Sequence, residues 1–153
     1  MKISELLRTE AINSELKAKG KNEALAEMVD AMMKIQNGLD REEVIRVLLE
    51  REKLGSTGIG DGVAIPHGKL RGLKDLFISF GRSRGGVEFD SMDGKPVNLV
   101  FLLVAPEESV GVHLKTLARI SKLLKNPAVR QRLVGASGSQ EIYDIIVEEE
   151  EKL

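Results

Sequence analysis

The run Leu99-Val100-Phe101-Leu102-Leu103-Val104-Ala105 constrains this chain more than any other stretch. Seven apolar residues in succession leave no polar face, so as a strand the segment is buried on both sides. A membrane span needs about 20 such residues. The run therefore reads as a buried strand from Val97 to Val104. Leu76, Ile78 and Phe80 alternate through a second strand, Leu76 to Ser83, and Val63 to Pro66 forms a short third. Gly85-Gly86 and Asp93-Gly94 mark turns, and Ser56 to Gly62 reads as loop from its three glycines.

Helical periods lie on either side of these strands. Leu25, Met28, Val29, Met32 and Met33 recur at helical spacing from Asn22, the methionines as packing, and Asn37-Gly38 closes that helix. Asp40 with Glu43 opens a second helix whose inner stripe is Val44, Ile45, Leu48 and Leu49. After the strands a helix begins at Ser109 and carries Leu114, Leu117, Ala118, Ser121 and Leu124 on one face. Asn126-Pro127 interrupts it, and a short helix through Val129 and Leu133 follows. Ser137 with Gln140 suits a capping box for a last helix, Glu141 to about Glu150, and Glu148–Glu151 reads as a solvated helix end. Residues 3–19 offer only Ile3, Leu6, Leu7, Ile12 and Leu16 without a settled period. Helices, then strands, then helices predict an α/β chain. Its mixed β-sheet is flanked by helices on both faces, a three-layer α/β/α arrangement. With 153 residues and no repeat or linker, one domain over 1–153 is expected.

Charge and composition exclude several classes. Lys and Arg number 23 against 24 Asp and Glu, so no basic footprint points to nucleic acid. There is no cysteine, which removes disulfides, thiolate catalysis and Cys-based zinc sites. The start, MKISELLRTE, is charged and lacks an apolar core, so no secretory signal or membrane insertion is expected and the location reads as cytoplasmic.

The segment Gly58-Ile59-Gly60-Asp61-Gly62-Val63-Ala64-Ile65-Pro66-His67-Gly68 presents one of only two histidines on stiff backbone. Pro66 fixes its own φ and biases Ile65 towards extended geometry. Gly68 removes a side chain that would crowd the ring. Following a strand, His67 is expected at the carboxyl end of the sheet, where open α/β sheets bind ligands. An ordinary imidazole is mostly neutral at pH 7, leaving one nitrogen free as a nucleophile. The plainer reading is an imidazole that only ends a strand. A serine triad has no Gly-x-Ser-x-Gly elbow to sit on. A nucleotide loop fails too, because no Gly-Lys-Ser/Thr follows and the glycines lead into a strand, not a helix. A metal site from His67 and His113, completed by Asp61 or Asp90, is a further reading without local ligand spacing.

Glu50-Arg51-Glu52-Lys53-Leu54-Gly55-Ser56-Thr57-Gly58-Ile59-Gly60, followed by Gly62 to Gly68, resembles the signature of the fructose/mannitol-type (type 2) enzyme IIA domain. That domain belongs to the bacterial phosphoenolpyruvate-dependent phosphotransferase system. Phe89-Asp90, Asp93 to Val97, Leu99 to Pro106 and His113-Leu114 fall in the family's order, so the likeness covers nearly the whole chain. The resemblance implies that His67 is phosphorylated on Nε2, taking the group from the histidine-containing phosphocarrier protein and passing it to a cysteine of enzyme IIB. Without cysteine or membrane span here, IIB and IIC would lie on other chains. No cofactor or metal is implied. The resemblance makes His113 the second histidine beside the first, against a plain reading as a solvated residue at a helix start. It places Arg51 near the centre, where a guanidinium can fork onto phosphoryl oxygens; otherwise Arg51 is one charge of a solvated helix end. Ser56 and Thr57 either donate hydroxyls there or shape the turn. The function implied is phosphoryl transfer for sugar uptake, with a nitrogen-type regulatory role as the alternative. Two proteins reaching one imidazole require an apolar patch with a polar rim around His67.

Overall fold

The computed structural model describes residues 2–36 and 38–153. Its centre is β6 (Val97–Pro106), which pairs antiparallel with β5 (Phe77–Val87). On its other side β6 runs parallel to β3 (Val63–Ala64) and β4 (His67–Leu70). The edges are β1 (Ile12–Asn13), parallel to β5, and β2 (Gly58–Gly60), antiparallel to β3. The sheet is therefore mixed, in the order β1-β5-β6-β3-β2.

Alternate residues of β6 feed two separate cores. Leu99, Phe101 and Leu103 pack with α1 (Ile3–Leu6), α4 (Val110–Leu124), α5 (Pro127–Gly135) and α6 (Ser139–Glu150). Val100, Leu102 and Val104 face α2 (Lys21–Met33) and α3 (Arg41–Lys53). This is the three-layer arrangement that the apolar run requires. Gly81 lets α2 lie flush on β5, since a Cβ there would sit 2.3 Å from Met28 Sδ. Asp40 caps α3, accepting from the amides of Glu42 and Glu43, and Asn126 caps α5 by accepting from Ala128 N.

Several expectations are corrected. The glycine-rich stretch is not all loop: Gly58–Gly60 is an edge strand hairpinned onto Val63–Ala64. α2 ends at Met33, before Asn37-Gly38, and Asn37 lies outside the described residues. The inner face of α4 holds His113, Thr116, Ile120, Leu123 and Leu124, while Leu114, Ala118 and Ser121 point outward. Hydropathy misplaced that face because two polar side chains belong to the buried side. α6 starts one residue after Gly138, and Ser137 pairs with Glu141 rather than Gln140, donating from N and Oγ to its carboxylate. Glu150 is no solvated tail: its buried carboxylate accepts from Ile3 N, Ser4 N and Arg119 Nε, clamping α1 to α6.

Candidate functional site

β3 and β4 keep one register along β6, with Val63 opposite Leu99 and His67 opposite Leu103. Between them Ile65 N turns away to donate to Thr57 O at 3.0 Å, and Pro66 has no N–H to give. Leu103 N still donates to Pro66 O at 3.0 Å, so the pairing carries through the break. His67 therefore opens β4 opposite Leu103, where the last four residues of β6 are paired, towards the carboxyl end of that strand. Its Nδ1 is 2.8 Å from Ile65 O. A carbonyl can only accept, so Nδ1 carries the hydrogen and Nε2 keeps an open lone pair.

Gly68 serves a different end from the one expected. A Cβ there would lie 2.6 Å from Val47 Cγ1, so the glycine admits α3 against β4 rather than clearing space around the ring. One helical turn beyond Val47 is Arg51, which this approach brings to His67. The glycines before His67 are likewise committed inside the chain. Gly58 abuts Ser91, while Gly60 (φ 102°) and Gly62 (φ 76°) adopt backbone conformations that favour glycine. None of the three lines the groove at His67.

The result is a groove of about 480 Å³ shared by His67, His113 and Arg51. Its apolar walls are Val47, Leu54, Leu114 and Leu117, and Glu50 and Lys69 add charge at the rim. Leu54 (85% exposed) and Leu114 (59%) stand out from the surface beside the imidazole. Lys69 was missed in the sequence, although strand alternation puts it on the same side as His67.

The two rings meet edge to face, with centroids 5.4 Å apart and planes at 68°. Burial holds the His67 pKa below its ordinary value; the Ile65 contact and Glu52 oppose this, while Arg51 and Lys69 add to it. His113 is only 4% exposed, and its Nδ1 finds no hydrogen-bond partner among the described residues. Burial first, then His67 and Lys69, push its pKa down to about 4. Both imidazoles are thus neutral at pH 7. The unfolded chain takes up the His113 proton near pH ~6.5, and the folded one only near 4. This contribution to stability is complete above the unfolded value and is lost as pH falls from there towards 4, amounting to about 3 kcal/mol. Urea titrations of the parent and of His113→Gln from pH 7 to 4 should show the parent falling further by about that much. Parallel curves would assign the acid loss to other groups.

The remaining residues are occupied elsewhere. Ser56 Oγ donates to Phe89 O at 2.7 Å and accepts from Gly58 N, and the Thr57 hydroxyl donates to Glu52. Both shape the loop. Asp61 sits on the β2–β3 hairpin (φ 57°), where its N–H donates to Asp93. Asp90 turns to Lys21. Among the described residues no three His, Asp or Glu side chains converge as a metal site. No helix among them is long and apolar enough to cross a membrane.

Comparison with known proteins adds four findings. Residues 5–149 match the family described as "Phosphoenolpyruvate-dependent sugar phosphotransferase system, EIIA 2". The chain is 44% identical over 146 residues to a nitrogen regulatory protein of Bradyrhizobium diazoefficiens, covering 95% of both. It is 40% identical over 146 residues to the fructose-specific EIIABC component of Bacillus subtilis, covering 95% of this chain and 23% of that protein. The crystal structure of nitrogen regulatory protein IIA-Ntr from Neisseria meningitidis superposes with a TM-score of 0.88 at 36% identity, covering 94% of this chain and 98% of that one.

Proposed function

The chain belongs to the EIIA 2 family of the phosphoenolpyruvate-dependent sugar phosphotransferase system, and we propose that it is a phosphoryl carrier working through Nε2 of His67. The observation that carries this reading is the Nδ1–Ile65 O contact, which leaves Nε2 as the only nucleophilic nitrogen of the ring. The donor is a phosphohistidine of the histidine-containing phosphocarrier protein. Its N–P bond breaks as the Nε2–P bond forms, and the donor ring keeps the electron pair of the broken bond. The hydrogen stays on Nδ1 throughout, donated to Ile65 O. Charge spread over the three equatorial oxygens is met by the Arg51 guanidinium and by the groove's neutral donors, His113 among them. No cofactor or metal takes part. The apolar walls at Leu54 and Leu114 suit a protein partner rather than a small ligand.

Such a carrier has two uses, both consistent with a cytoplasmic protein. One is onward transfer to a cysteine of an enzyme IIB on another chain, for sugar uptake. The other is regulatory, with the phosphorylation state of His67 controlling binding to other proteins. The match to a nitrogen regulatory protein across 95% of both chains favours the second. The test is incubation with phosphoenolpyruvate, enzyme I and the phosphocarrier protein. An acid-labile, base-stable phosphate is expected on the chain, and its absence would overturn the reading. Adding a IIB protein then separates the uses: rapid discharge supports transport, and retention of the phosphate supports regulation.

A further inference from the structure

We infer that Glu52 is a positioning residue for phosphoryl transfer, holding His67 in its Nδ1–H form through Thr57 and the Ile65 peptide. This deepens the carrier reading and rests on it. Glu52 lies at the end of α3 and is 8% exposed. A buried carboxylate is costly unless its charge and lone pairs are answered. Here Thr57 N donates to Oε1 at 3.1 Å, the Thr57 hydroxyl donates to Oε2, and Lys21 Nζ lies 3.1 Å from Oε1. Lys21 opens α2 and is held in place over the Phe89 ring, 5.2 Å from its centroid. It also reaches Asp90 at 3.5 Å, but that carboxylate is exposed and screened by water. The ammonium is therefore committed mainly to Glu52.

The grip falls on a segment with little shape of its own. Between α3 and β2 the chain passes Gly55, whose φ of 145° is open to glycine. Glu52 holds Thr57 by both its amide and its hydroxyl, and so sets the direction of the Thr57 carbonyl. That carbonyl takes the Ile65 N–H at 3.0 Å, and the Ile65 carbonyl takes His67 Nδ1–H at 2.8 Å. Pro66 stiffens the link between them. An unbroken line of contacts thus runs from Lys21 through Glu52, Thr57 and Ile65 to the ring. Loosening its head tilts the carbonyl that selects the tautomer, and small misplacements of a reacting atom cost rate steeply.

The test reads the ring directly. ¹⁵N chemical shifts of the unphosphorylated protein should show His67 in one tautomer, hydrogen on Nδ1. In Glu52→Gln and in Thr57→Val the Nε2–H form should become a comparable population, and phosphoryl uptake should slow by about ten- to a hundredfold. Thr57→Ser, which keeps the hydroxyl, should restore the parent tautomer. An unchanged tautomer in both variants would overturn the proposal even if uptake slowed, since rate alone would report a structural defect. Should Glu52→Gln not fold, Thr57→Val decides. Failure of the parent to accept phosphate would instead overturn the carrier reading, because the tautomer is measured without phosphate.

Discussion

Replacing Arg82 by methionine should lower the free energy of unfolding by about 3–5 kcal/mol. Arg82 lies on β5 and is 1% exposed, and its hydrogen-bond acceptors among the described residues are backbone carbonyls. Its Nε donates to Ser14 O at 3.1 Å, and Nη1 donates to Leu133 O at 3.1 Å, Val134 O at 3.3 Å and Ala136 O. Leu133 and Val134 belong to the last turn of α5, where helix carbonyls run out of amides and only Leu133 O is met, by the capping Ala136 N–H. The guanidinium ends that helix where its dipole is negative. Methionine keeps length and fills the space but supplies no donor. Each buried carbonyl left without a partner costs about 1–3 kcal/mol. Ala136 O retains Arg84 Nη2 at 2.9 Å and Leu133 O retains the Ala136 amide at 3.4 Å, so the loss falls mainly on Ser14 O and Val134 O. Urea denaturation at pH 7 measures the difference. Arg84→Met is the control and should cost under about 1 kcal/mol. A similarly small loss for Arg82→Met would show that α5 holds its end without the guanidinium.

Arg82 also shows what a sequence conceals. Its partners lie at residues 14 and 133–136, and nothing local marks a strand arginine as a helix cap. Features set by neighbouring residues were legible. Leu99–Ala105 demands cover on both faces from composition alone, Asp40 caps its helix within three residues, and Asn126-Pro127 marks the break between two helices. Features set by distant pairing were not. Gly58-Ile59-Gly60 has loop composition and becomes a strand only because Val63 and Ala64 fold back on it. The α4 face was misread because His113 and Thr116 lie inward, the latter with its hydroxyl bonded to Val112 O at 2.8 Å. The site divides along the same line. His67, Arg51 and His113 were named from sequence, and the structure brings all three to one groove. Glu52 appeared only as one charge in Glu50-Arg51-Glu52-Lys53, because Lys21 and the Ile65 peptide, which give it meaning, arrive through folding.

Phosphoryl uptake should drop at least about a thousandfold in His67→Gln, with smaller and unequal losses in Arg51→Ala and His113→Gln. Glutamine occupies much of the ring's space, but its amide nitrogen has no free lone pair to attack phosphorus. The rest of the groove stays in place, so the loss reports the nucleophile and not the binding face. Arg51 brings a cationic guanidinium, and Gly55 O takes one of its N–H donors at 2.9 Å, leaving others for phosphoryl oxygens. Its removal should slow uptake by about a hundredfold. His113, with its pKa down to about 4, is neutral near pH 7 and brings one N–H rather than a cation. Its loss should therefore cost less, about tenfold. Initial rates of label transfer from the phosphorylated carrier protein at pH 7 give this ranking. Uptake at the parent's rate by His67→Gln would place the phosphate on another residue. Equal losses for Arg51→Ala and His113→Gln would mean that His113 becomes charged as the phosphoryl group arrives, so that the dianion raises the pKa that burial lowers.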